Sequence, residues 1–131
     1  MASGPIIKGL DHVVLRVRDL DRAVRFYEDV LGLKEEMRIE RIGLAMMRAG
    51  FSMIDLQDAA KAPPLPDGAN MEHYCVQIEA YEPDALYAYL DAKGVKHGTV
   101  EMRFGADGRG PSVYIEDPDG NTVELKGPAI S

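Results

Sequence analysis

Residues 117–126 read Asp117-Pro118-Asp119-Gly120-Asn121-Thr122-Val123-Glu124-Leu125-Lys126, a turn that feeds directly into a strand. Pro118 fixes one φ, Gly120 or Asn121 supplies a positive φ, and β-propensity resumes at Thr122. Side chains alternate across a pleat, so Val123 and Leu125 point one way and Thr122, Glu124 and Lys126 the other. A glutamate on a strand is most often solvated. The alternative is that Glu124 faces a cavity, and that requires other strands to carry ligand-type residues on a matching face.

The first strand of the chain, about residues 10–17, does so. In LDHVVLRV, Val13, Leu15 and Val17 share one face, and His12, Val14 and Arg16 the other. Asp19-Leu20-Asp21 then offers an N-cap and an acidic first turn, and Ala23, Val24, Tyr27, Val30 and Leu31 recur at helical spacing until Gly32 stops the helix. Three strands follow, at about 36–40, 44–48 and 51–57, with turns at Gly43 and Gly50. In the last of them Met53, Asp55 and Gln57 oppose Ile54 and Leu56. The stretch 60–70, AKAPPLPDGAN, reads as an exposed linker.

The same grammar then restarts. A strand at about 72–79 sets His73, Cys75 and Gln77 against Tyr74, Val76 and Ile78. Glu82-Pro83-Asp84 opens a helix with Ala85, Leu86, Tyr89 and Leu90 as its buried stripe and Gly94 as its stop. Strands at about 99–104 and 112–116 flank a glycine-rich stretch, Gly105 to Gly110, read as a long hairpin loop or, with Arg109, as a mobile lid. The strand carrying Glu124 closes the unit. The chain is thus one β-α-β-β-β unit written twice, His12 answering His73, Gly32 answering Gly94 and Asp55 answering Glu124. The fold class is α+β, with module one at about 9–59, a linker at about 60–70 and module two at about 71–127.

Composition sets limits on function. With 131 residues, 46% of them hydrophobic and 28% charged, a packed globular domain is expected. A net charge of -7 argues against nucleic acid or an anionic membrane as partner. The single Cys75 rules out an internal disulfide framework and fits a reducing compartment, no apolar run is long enough for a membrane span, and residues 1–5 lack the features of a secretion signal. A cytoplasmic location with frayed residues 1–4 is the expectation.

If the two halves place their first and last strands around one cleft, His12, Asp55, His73 and Glu124 converge. Two imidazoles with one or two carboxylates suit Fe(II), Mn(II), Ni(II), Co(II) or Zn(II), and leave coordination positions open for a substrate. Singly, each of these residues has a plain structural explanation; their agreement in type, face and repeat position is what points to a metal. Arg16, Gln57, Gln77 and Tyr114 share parity with them and are candidate pocket residues. Cys75 and the methionines read as packing, and His97 as a surface cap after the second helix.

Two segments, LDHVVLRVRDLDRAVRFYEDVLGL at 10–33 and YIEDPDGNTVEL at 114–125, resemble the vicinal oxygen chelate superfamily, which includes glyoxalase I, methylmalonyl-CoA epimerase, extradiol dioxygenases, and fosfomycin- and bleomycin-resistance proteins. The resemblance extends over about residues 9–127. It implies paired βαβββ modules whose curved mixed sheet encloses one divalent metal, with His12, His73 and Glu124 at three ligand positions. Asp55 falls where glyoxalase I has Glu and the epimerases Gln; it is one methylene shorter, so direct ligation, a water-bridged contact and an outer-shell role are all open. The implied chemistry is chelation of a small substrate through vicinal oxygens. Glyoxalase-like or epimerase-like proton transfer, with Asp55 or Glu124 as catalytic base, leads. An Fe(II) extradiol dioxygenase is the alternative, and a drug-sequestering protein of the bleomycin-resistance type a third. The resemblance also implies a homodimer in which modules pair across the interface.

Overall fold

The computed structural model describes residue 6 and residues 10–64, 71–79 and 81–131. The chain forms two compact units, 1–63 and 64–131. Residues 65–70 of the expected linker, and the expected fraying of residues 1–4, lie outside the described residues. Where module one passes into the linker, residues 59–61 form a single 3-10 turn capped by the Asp58 side chain.

In the first unit, β1 (His12–Val17), β2 (Lys34–Ile39), β3 (Leu44–Ala49) and β4 (Ser52–Asp58) build a sheet in the order β1-β4-β3-β2 around helix α1 (Leu20–Asp29). β1 runs parallel to β4, and the other neighbours are antiparallel. Asp19 caps α1 by accepting from the Arg22 amide at 3.1 Å. The helix ends as the glycine predicts: Gly32 takes φ 67°, and the amides of Gly32 and Leu33 reach back to the carbonyls of Glu28 and Tyr27. Leu15, Val17, Ala45, Met47, Ile54 and Leu56 are buried with Ala23, Val24 and Tyr27 of α1. Because that face of the sheet is committed to the helix, alternation sends His12, Asp55 and their neighbours to the other.

The second unit repeats the plan. β5 (Tyr74–Gln77), β6 (Glu101–Gly105), β7 (Gly108–Glu116) and β8 (Thr122–Lys126) form a sheet in the order β5-β8-β7-β6, with β5 parallel to β8. Helix α2 (Pro83–Ala92) starts with Pro83 behind a Glu82 cap and buries Leu90 completely. Val113, Ile115, Val123 and Leu125 are buried on the sheet. The turn before β8 is gathered by Asp117, whose carboxylate accepts from the Asp119 and Asn121 amides at 2.9 and 2.8 Å and from Asn121 Nδ2 at 2.8 Å, while Gly120 takes φ 83°.

Three expectations are corrected. The glycine-rich stretch is neither a long loop nor a lid: β6 runs on to Gly105, β7 begins at Gly108, and Gly105 pairs with Gly108 across a tight turn at Ala106 and Asp107. Glycine here accommodates close neighbours within a continuous ladder. The strand at 72–79 is confined to Tyr74–Gln77, leaving His73 just ahead of it. Finally, His97 is no simple surface cap. Its Nε2 lies 2.7 Å from Asp91 Oδ1 and its Nδ1 2.7 Å from the Gly98 carbonyl, with its ring stacked on Tyr87 at 5.2 Å, so it ties α2 to the segment that enters β6.

Candidate functional site

Each unit brings one imidazole and one carboxylate together on the sheet face turned away from its buried apolar residues. In the first, the parallel register sets His12 opposite Met53 and Val14 opposite Asp55, so His12 and Asp55 are diagonal neighbours on one face. Asp55 is buried, and its Oδ1 has no hydrogen-bond partner. Burial pushes its carboxyl above the usual carboxylate range, the His12 charge opposes that rise, and Asp11 adds to it. His12 is half exposed and its Nδ1 sits 2.8 Å from Asp11 Oδ2. That hydrogen bond, followed by the charge of Asp55, raises the imidazole above its ordinary value.

The second unit makes the corresponding pair more tightly. His73 Nε2 lies 3.3 Å from Glu124 Oε1, and His73 Nδ1 lies 3.0 Å from Glu72 Oε1. Glu124 is buried and its Oε2 lacks a hydrogen-bond partner. Cys75, Glu124 and Tyr114 stand in one row across β5, β8 and β7. The Cys75 thiol is pushed up to about 11 by desolvation and the Glu124 charge, which keeps it protonated and agrees with a packing role.

A buried carboxylate oxygen with no partner is costly, and one stands beside each imidazole. In both units an acid immediately before the histidine engages Nδ1 and leaves Nε2 to face the site, where that of His73 meets Glu124, the arrangement in which a carboxylate orients a metal-binding imidazole. The donor chemistry therefore fits a divalent ion of the nitrogen and oxygen class. Within either unit the set is a pair, and among the described residues no group of three or more His, Cys, Asp or Glu side chains is assembled. Asp11 and Glu72 were missed in the sequence, although an acid precedes the histidine in both halves.

The proposed pocket residues fare unequally. Tyr114 sits at the second pair, its ring edge-on to His73 at 5.2 Å. Behind it Arg103 stacks at 4.3 Å, its Nη1 donating to the Ser112 carbonyl and Oγ at 2.8 Å and its Nη2 to Glu101 Oε2 at 3.0 Å. Nothing in the sequence marks Arg103 as part of this stack. Arg16 is half-buried opposite Gln57, on the His12 face. Gln57 is turned to structure instead: its Nε2 donates to the carbonyls of Ile42 at 2.7 Å and Asp58 at 3.1 Å, which fixes the chain around Gly43. Gln77 donates to Asp107 Oδ2 at 3.1 Å and so pins the tip of the β6-β7 hairpin.

Comparison with known proteins agrees with this architecture. Residues 9–125 match the family described as Glyoxalase/Bleomycin resistance protein/Dioxygenase superfamily. The chain is 32% identical over 126 residues to Virulence protein STM3117 of Salmonella typhimurium, covering 92% of this chain and 84% of that protein. The crystal structure of STM3117 matches with a TM-score of 0.76 at 26% identity over 96% of this chain and all of that one. Similarity extends to the lactoylglutathione lyase of Haemophilus influenzae, 29% identical over 87% of this chain and 88% of that protein. It extends also to the metallothiol transferase FosB of Staphylococcus saprophyticus, 27% identical over 92% and 77%.

Proposed function

Because the chain belongs to the glyoxalase/bleomycin resistance protein/dioxygenase superfamily, we propose that it is a divalent-metal-dependent enzyme in which His12, His73, Glu124 and Asp55 supply the ligands of one cation. We take its reaction to be proton transfer on a carbon next to a carbonyl, in a small substrate bound through vicinal oxygens. The single observation that carries this reading is the duplicated pair: an imidazole with its Nδ1 occupied, beside a buried carboxylate with one oxygen unpartnered.

When bound, the ion supplies Lewis-acid stabilisation of negative charge developing on the chelating oxygens. The protein's own residues account for the rest. Asp11 and Glu72 hold the two imidazoles in one tautomer, and Tyr114 backs the His73 ring. Asp55 is the proton acceptor, since burial favours its protonated form. It removes the proton from the carbon next to the carbonyl, the electron pair moves onto the carbonyl oxygen, and the same carboxyl returns the proton to the neighbouring carbon on the same face. Proton and charge balance without any further reactant. The lactoylglutathione lyase relative supports the glyoxalase-like form of this step. A homodimer, and a reducing cytoplasmic setting suggested by the lone Cys75, belong to the same proposal.

Elemental analysis of reconstituted protein, with activity assays on each ion, tests the reading. His73→Ala or Glu124→Ala should lose most bound metal while keeping the wild-type circular dichroism, a loss larger than the roughly 10–100-fold that removing an outer-shell partner costs. Stoichiometric metal in either variant would overturn the assignment. Isomerisation supported by Ni(II), Co(II) or Zn(II) identifies the proton-transfer enzyme, oxygen uptake with catechols only in the Fe(II) form the dioxygenase, and tight drug binding by metal-free protein without turnover the sequestering protein.

A further inference from the structure

Lys126 is the last residue of β8, two positions beyond Glu124 and on the same face, and it is only 2% exposed. Its stem leaves the strand beside Ser112, its partner on β7, and reaches the β6-β7 hairpin. There it fills space that any side chain would need. A Cβ on Gly105 would stand 2.6 Å from Lys126 Cε and 3.3 Å from Nζ, and a Cβ on Gly110 would stand 3.1 Å from Nζ. Two glycines therefore make a slot for one lysine.

The ammonium in that slot makes no ion pair or hydrogen bond with a described residue. The acids of β8 and of the β6-β7 hairpin are engaged elsewhere: Glu124 with His73, Asp107 with Gln77, Glu101 with Arg103, and Glu116 with Lys96. The ammonium keeps an edge to solvent and so is open to a ligand, but with so little of the side chain exposed it gives up most of its hydration for no protein partner, which is unfavourable. A stem that only filled space would be served better by an apolar residue.

We propose that Lys126 is the anion-binding residue of this site, receiving a carboxylate or similar oxyanion borne by a substrate whose vicinal oxygens lie at Glu124. The proposal rests on the metal-dependent reading for its second anchor. Two residues along a strand is about 7 Å, and the lysine stem lengthens that span, so the anion lies several atoms from the chelating oxygens. The substrate class is therefore a chelating acid with a second, distal negative charge.

Malate, 2-hydroxyglutarate and 2-hydroxyadipate share their chelating end with lactate and add a distal carboxylate. In calorimetric titrations of the Mn(II)-loaded protein, at least one of the three should bind about tenfold or more tightly than lactate, the worth of one charge-assisted hydrogen bond. Lys126→Met should abolish that preference and leave lactate binding unchanged, and Lys126→Arg should retain much of it. In anion-free buffer Lys126→Met should melt at or above the wild-type temperature, an outcome a structural lysine would not give. Equal binding of all four acids by wild type, or an unchanged preference in Lys126→Met, overturns the role of Lys126 while leaving the metal reading standing. If the protein retains no metal, the metal reading fails, and Lys126 is judged on the metal-free protein: a rise in melting temperature with 2-hydroxyglutarate that Lys126→Met loses sustains it, and no rise overturns it.

Discussion

At the scale of single residues, His97 shows how much a side chain can do that its sequence position does not announce. Both ring nitrogens face acceptors, the Gly98 carbonyl and the Asp91 carboxylate, so the doubly protonated imidazolium satisfies the site best. The Gly98 carbonyl, then Asp91, raise its ionisation above 6.5. A folded-state value above the unfolded one contributes stability that is complete below 6.5 and fades as pH climbs through the raised value. Wild type should therefore lose melting temperature relative to His97→Gln as pH rises from 6 to 8, with the two curves converging on the alkaline side. A constant gap between them would contradict this reading. His12 and His73, by contrast, were legible as candidates for the site because strand parity and duplication constrain them together. Asp11 and Glu72 were not, because in the strands expected at 10–17 and 72–79 alternation sends each to the face opposite its histidine, whereas both precede the strands that form. Nor was the burial of Lys126, since a lysine ending a strand ordinarily reaches water.

At the scale of elements, turns and helix stops were the most readable parts of the chain, and glycine explains why. Gly32 and Gly43 both adopt φ 67°, but their surroundings differ. A Cβ on Gly32 would meet nothing within 4 Å, whereas one on Gly43 would stand 2.7 Å from Asp58 Cβ and 3.0 Å from Lys61 Cδ. Gly43 also accepts a hydrogen bond from the Asp58 amide at 2.8 Å. In urea titrations Gly32→Ala should cost about 1 kcal/mol, the price of the left-handed backbone alone. Gly43→Ala should cost about 2–4 kcal/mol, because crowding adds to it. Equal losses would mean that the 3-10 turn moves aside freely. Reading glycine as looseness is what failed at 105–110, where the residues lie in a paired hairpin and their missing side chains admit Lys126 and the Pro128 carbonyl.

At the scale of the whole molecule, the duplication decides what can be tested about assembly. If the proposed homodimer pairs module one of one subunit with module two of the other, unfolding and refolding an equal mixture of His12→Ala and His73→Ala should restore about a quarter of the metal sites, since half of the dimers are mixed and each carries one intact set. Sites completed within one chain would recover none, and metal content measured after reassembly separates the two. The repeat itself was readable because each half writes the same order of strand, helix and three strands, and the family match over residues 9–125 spans both copies. No described helix is long and apolar enough to cross a membrane.

The parallel pairing of β1 with β4, and of β5 with β8, has a kinetic side. In each unit the imidazole strand and the carboxylate strand are separated by a helix and two further strands, so these are among the most distant contacts in sequence and the slowest kind to form. A cation gripping both members would act as a rivet on the last-made seam of its unit. It would hold that seam shut against transient opening, so the lifetime of the native state, more than the speed of reaching it, would answer to metal supply.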